Sequence, residues 1–269
     1  MAQTIGSVLS EVGSLLTGSV SNPAREAEIL LGTAVVRPRA DLYRDLDCTV
    51  DSTEYARIME AARRRAAMEP LQYITGVQGF RGLELAVGPG VLVPRPETEI
   101  VVERCLKLLE GLNGPTVADL GTGSGAIALA IAAERADARV WATELSADAM
   151  VWARRNLARC RASNVMLRSG DLFGPLPARL RGRFDLVVSN PPYLSEQEFR
   201  EVPVDVAKEP EEALVAGPTG LEVSAQIVDL APNWLRPAGW LVLETSPLQL
   251  ERLRTLMEKE FLRVAVTED

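Results

Sequence analysis

Apolar residues recur at helical spacing across residues 1–75: Ile5, Val8, Leu9, Val12, Leu15 and Leu16, then Ala27, Leu30 and Leu31, and later Tyr55, Ile58, Met59 and Ala62. Pro23 and Pro38 interrupt the pattern, which predicts a small bundle of about four helices. Arg63, Arg64 and Arg65 close the last of them, where cations suit the C-terminal end of the helix dipole, and the run reads as a solvated helix face. Between Gly76 and Pro96 the pattern shortens to glycine-broken alternation, Phe80, Leu83, Leu85, Val87, then Val91, Leu92 and Val93. It reads as a β-hairpin linker spanning residues 76–96.

From Glu97 onward, strand-like runs alternate with helical segments: Thr116 to Leu120, Arg139 to Leu145, Val165 to Ser169, Phe184 to Ser189, Trp240 to Glu244 and Arg263 to Val266. Such alternation predicts an α/β domain over residues 97–269, a mostly parallel sheet with helices on both faces. Residues 202–218 are proline-rich and read as one long loop.

At 269 residues, 47% of them apolar, the chain can bury the cores of two domains. A formal charge of -8 repels a phosphate backbone and disfavours nucleic acid as a partner. Cys48, Cys105 and Cys160 are odd in number and widely spaced, which suggests neither a disulfide framework nor a zinc site, so no metal is expected. The longest clean apolar run, Ala126 to Ala133, is too short to span a bilayer, and Glu11 interrupts the apolar N-terminus. A cytoplasmic, monomeric protein is the expectation. With no histidine anywhere, any mechanism has to work without imidazole.

Asp119, Leu120, Gly121, Thr122, Gly123, Ser124 and Gly125 run from the end of a strand through a glycine turn towards a helix. Glycines let a ligand approach backbone amides with no Cβ in the way. Gly121, Gly123 and Ala126 also satisfy a dinucleotide pattern, and Glu144, at the end of the next strand, suits a ribose diol in either a dinucleotide or a nucleoside. Asp119 favours the second choice, because a carboxylate beside the turn repels a pyrophosphate but suits the ammonium and sulfonium charges of S-adenosylmethionine. Asp171 ends the third strand, where it can accept from an adenine amine while Leu172 or Phe173 covers the ring. It can equally cap its own loop.

The fourth strand delivers Asn190, Pro191, Pro192 and Tyr193 to the carboxyl edge of the sheet, where ligands bind in open α/β folds. Two prolines fix φ and remove two N–H donors, leaving the Pro191 carbonyl and the Asn190 side-chain oxygen as a rigid pair of acceptors. A planar NH2 group fits such a pair, and Tyr193 adds a π face.

In this order, the glycine loop, Glu144 and the Asn-Pro-Pro-Tyr segment resemble class I S-adenosylmethionine-dependent methyltransferases acting on amide and exocyclic-amine nitrogen. The stretches Glu69 to Gly76 and Val91 to Glu99, together with Glu209, Pro210, Ala213 and Leu214, narrow this to a resemblance to the peptide chain release factor glutamine methyltransferases. The resemblance implies a Rossmann-like catalytic domain behind a small helical domain. It also implies that Gly121 to Gly125, Glu144 and Asn190 contact S-adenosylmethionine, and that Asn190 to Tyr193 hold the glutamine of a release factor's Gly-Gly-Gln tip. Set beside the family fold, the resemblance leads one to expect no counterpart of the last strand in residues 97–269, and residues 263–269 are expected to lack a ladder partner. The roles of Arg95, Glu97 and Thr98 stay open between helix capping and a place in the cofactor pocket. Rival readings are a DNA or RNA amine methyltransferase, a ribosomal-protein glutamine methyltransferase, and a binding module without turnover.

Overall fold

The computed structural model describes residues 3–267, which divide into two compact units, Met1–Gly76 with Pro203–Lys208, and Val77–Val202 with Glu209–Asp269. In the first unit α1 (Ile5–Leu16), α2 (Pro23–Val35), α3 (Arg39–Arg44), α4 (Ser52–Ala66) and the short α5 (Leu71–Thr75) surround a core that includes Ile5, Val8, Val12, Leu30, Leu31, Leu42 and Ile58. Local chemistry starts three of these helices. Thr4 and Asp51 form capping boxes with Ser7 and Glu54, and Asn22 caps α2 immediately before Pro23.

Arg65 corrects the reading of the basic run as a solvated face, because it is 6% exposed. Its guanidinium donates to Glu26 at 2.6 Å, to the Glu69 carbonyl at 2.9 Å and to Asp205 at 3.4 Å. A cation that far from water persists only when paired in this way.

The second unit opens with the hairpin β1 (Val77–Phe80) and β2 (Leu83–Ala86), whose two turn residues, Arg81 and Gly82, both have positive φ, as a tight hairpin requires. Val91 to Val93 form no strand. After α6 (Thr98–Leu108) come β3 (Thr116–Leu120), α7 (Ala126–Glu134), β4 (Arg139–Glu144), α8 (Ala147–Cys160), β5 (Val165–Ser169) and β6 (Phe184–Ser189). The two-residue β7 (Leu194–Ser195), α9 (Glu196–Phe199) and β8 (Val215–Gly217) lead to α10 (Glu222–Leu230), β9 (Leu235–Leu243) and α11 (Leu250–Glu260).

Five strands form one all-parallel sheet in the order β5-β4-β3-β6-β9. Their side chains alternate between two cores. Val117, Val140, Leu186 and Val188 pack on α6 and α7, whereas Ala118, Trp141, Phe184 and Val187 pack with Ile227 of α10 and Leu253 of α11. β9 begins earlier than its apolar run suggests: Leu235 pairs with Phe184, the residues around Ala238 bulge, and the ladder resumes at Trp240. Arg263 to Val266 form no strand, and among the described residues the outer edge of β9 carries no partner.

Strand order reverses at β3, with β4 on one side and β6 on the other, so the ligand crevice of this topology lies beyond the carboxyl ends of β3 and β6. Leu120 is in register with both Ser189 and Thr143. The next residue of each strand is therefore Gly121, Asn190 and Glu144, three neighbours along one edge.

Candidate active site

A cavity of about 220 Å³ opens at this edge, walled by Gly121, Thr122, Gly123, Ser124, Glu144, Asn190 and Pro192 from the strand ends. Val91, Leu92, Arg95 and Thr98 add a second wall, and Pro210, Glu212 and Ala213 of the long loop add a third. Leu145, 67% exposed, stands at the rim as an apolar residue next to the acidic one.

The glycine loop is held by its own backbone and by the strands beside it. The Thr122 N–H donates to the Thr143 carbonyl at 2.9 Å, and the Gly123 N–H donates to Glu144 Oε2 at 2.7 Å. Glu144 Oε1 takes the Ser146 N–H at 2.8 Å. Each carboxylate oxygen thus keeps room for a further donor, which suits a diol. At Gly125, φ is +88° and a Cβ would come within 3.0 Å of Leu129, so the start of α7 tolerates no side chain. At Gly121, φ is +66° and a Cβ would meet no atom within 4 Å, so the missing side chain leaves open space beside the cavity.

Asp119 acts differently from its expected role. It is 1% exposed and does not line the cavity. Its Oδ2 accepts from Thr122 Oγ1 at 2.6 Å and from the Ala128 N–H at 3.0 Å, which ties the loop to the first turn of α7 from behind. Burial pushes its carboxyl up to about 7, so at neutral pH it is only partly charged and cannot act chiefly by repelling a pyrophosphate. Its buried Oδ1 has no hydrogen-bond partner. The stronger argument against a dinucleotide is that the Gly123 N–H, which would face a pyrophosphate, is already given to Glu144.

The Asn-Pro-Pro-Tyr segment divides between two hollows, as successive residues of an extended chain do. Asn190 and Pro192 reach the 220 Å³ cavity. Pro191 is buried, and Tyr193 instead lines a neighbouring groove of about 630 Å³ with Glu97 and Glu244. Burial pushes the Tyr193 phenol up, and these two carboxylates add to the effect, so it stays protonated. Asp171 and Leu172 lie off the cavity. Asp171 is exposed on its loop, and Leu172, at φ +41°, is buried in the apolar cluster that includes Trp141, Phe173 and Leu176.

Several organising residues are not evident from sequence pattern. Asn156 of α8 is fully buried, accepts the Ala86 N–H at 2.7 Å, and donates to the carbonyls of Ala86 and Ser124 at 2.9 Å, pinning the glycine loop to the end of β2. A buried asparagine on a helix carries no sequence signal beyond its polarity. Glu97 is the N-cap of α6 but makes no side-chain capping bond, so capping does not explain the Arg95 to Thr98 stretch. Arg95 pairs with Glu209, and Thr98 accepts from Asn190.

Comparison with known proteins agrees with this architecture. Residues 7–76 match the PrmC N-terminal domain, and residues 98–269 match the methyltransferase small domain. A release factor glutamine methyltransferase of Moorella thermoacetica is 41% identical over 256 residues, covering 94% of this chain and 89% of the relative. The chain belongs to the release factor glutamine methyltransferase family. A relative from Streptomyces coelicolor with the same name is 43% identical over 238 residues, covering 87% and 82% of the two chains. Among solved structures, the hMettl16 catalytic domain, captured with an RNA hairpin, superposes with a TM-score of 0.51 at 16% identity over 80% of this chain and 75% of its own, a likeness of fold alone. Among the described residues no helix is long and apolar enough to cross a membrane.

Proposed function

We propose that this chain transfers the methyl group of S-adenosylmethionine to the side-chain amide nitrogen of the glutamine in the Gly-Gly-Gln motif of a peptide chain release factor. One observation carries the reading. The in-register ends of β3, β4 and β6 bring the glycine loop, Glu144 and Asn190 onto a single cavity.

The residues fit the cofactor. Gly121, Thr122, Gly123 and Ser124 would hold it along the loop, and Glu144 would take its ribose hydroxyls, while Asp119 and Gly125 keep the loop in shape. Bound there, S-adenosylmethionine supplies an electrophilic methyl group. An amide nitrogen is a poor nucleophile because its lone pair is delocalised, so the protein's contribution is alignment, worth up to ~7–11 kcal/mol in well-oriented cases. Asn190 accepts one N–H of the glutamine amide, and the prolines after it fix the backbone that carries it. A release factor substrate supports a cytoplasmic site of action.

The test is incubation of the purified protein with S-adenosylmethionine and either a release factor or the same factor with its Gly-Gly-Gln glutamine replaced. Mass spectrometry should find one added methylene on the first and none on the second. Equal labelling of both would defeat the assignment.

A further inference from the structure

A primary amide has two ends of nearly equal size, so Asn190 can accept from an incoming NH2 group only if something fixes which end faces the cavity. Asn190 Nδ2 donates to Thr98 Oγ1 at 3.2 Å, and both residues line the cavity. Thr98 is 4% exposed and is the first residue of α6. A hydroxyl can accept from an amide nitrogen or donate to an amide oxygen; here it accepts from Nδ2, which leaves Oδ1 on the opposite side. A flipped amide would set its N–H groups against those of the substrate, donor against donor.

The hydroxyl is itself well fixed. Thr98 is β-branched and stiff about χ1, and its N–H donates to the Arg95 carbonyl at 3.2 Å. Arg95 is tied to Glu209 at 2.5 Å, and the other oxygen of Glu209 takes the Val93 N–H at 2.8 Å. The Arg95-Pro96-Glu97-Thr98 stretch thus forms a braced support beneath one amide.

We propose that Thr98 is a positioning residue for methyl transfer, holding Asn190 by its nitrogen so that its oxygen is the atom offered to the substrate. The inference rests on the functional reading above and adds the group that orients its central side chain.

The test compares wild type, Thr98→Val and Thr98→Ser with S-adenosylmethionine and a release factor, with cofactor affinity measured by calorimetry. Valine keeps the shape and the β-branch but removes the acceptor. It should lower kcat roughly tenfold, as expected when coupled neighbours are separated, and leave cofactor Kd and release-factor KM within about twofold. Serine should restore most of the lost turnover. In an Asn190→Ala background, Thr98→Val should cost nothing more, because no amide remains to be oriented.

Wild-type kcat in Thr98→Val, the same fold loss repeated in the Asn190→Ala background, or no rescue by serine would each overturn the proposal. Wild-type protein that binds S-adenosylmethionine but leaves the release factor unmethylated would overturn the functional reading first, and this inference with it.

Discussion

Glu209 and Arg95, 114 residues apart in sequence, form an ion pair in which Glu209 Oε1 accepts from Arg95 Nη2 at 2.5 Å. The Glu209 side chain is 2% exposed and that of Arg95 is 31% exposed. The second Glu209 oxygen holds the Val93 N–H, so one carboxylate joins the long loop to the segment before α6, and both contribute to the cavity wall.

Replacing Glu209 by alanine strands a backbone N–H and a guanidinium together. The expected cost is about 2–4 kcal/mol, below the full penalty for a buried pair because Arg95 is partly solvated. Urea unfolding measures it, and Glu209→Gln, which keeps an acceptor for Val93, should lie between alanine and wild type. An alanine variant with an unchanged midpoint would show that the pair does no stabilising work.

Asp119 makes stability depend on pH in a set direction. Its carboxyl titrates at about 7 in the folded protein, against about 3.9 in an unfolded chain, so between these values the native state holds a proton that the unfolded state has released. This contribution is present in full below the lower value and is lost as pH rises through the upper one. Asp119→Asn removes the titration while keeping an acceptor for Thr122 and Ala128. Its melting temperature relative to wild type should be higher at pH 8 than at pH 5, and equal differences at both pH values would contradict the assignment.

Asn190→Ala removes the acceptor that faces the substrate. Turnover should fall by ~10²–10³, as for other preorganised polar contacts, with a much smaller change in cofactor affinity. Single-turnover methylation alongside calorimetry separates the two, and near-normal turnover would remove Asn190 from the chemistry.

What the chain discloses in advance is what is encoded locally. Glycines at Gly121 and Gly125, an acidic residue closing β4 and two prolines after β6 are each legible because a few consecutive residues dictate the backbone. Their convergence on one edge follows from parallel strands and a reversal of order. The braces are hidden for the converse reason. Thr98 meets Asn190 across 92 residues, and Asn156 reaches Ala86 across 70, pairings that no periodicity reports. Arg65 looks in sequence like its neighbour Arg64, and only folding distinguishes a half-solvated guanidinium from a sequestered one. Asp171 and Leu172 stand outside the cavity lining, without a role that sequence alone decides, because an acidic residue followed by a leucine after a strand serves a ligand or a core equally well.

Arg65 draws its two carboxylate partners from Glu26, in the helical N-terminal stretch, and from Asp205, 140 residues downstream. The helical unit is therefore not a contiguous cassette. A fragment ending at Gly76 would strip Arg65 of one counter-charge, and a fragment beginning at Val77 would carry a Pro203–Lys208 segment cut off from its own fold. Grafting this bundle onto another catalytic body would require a matched exchange at both places, which ties the inheritance of the first seventy-odd residues to a short insert deep in the second half of the chain.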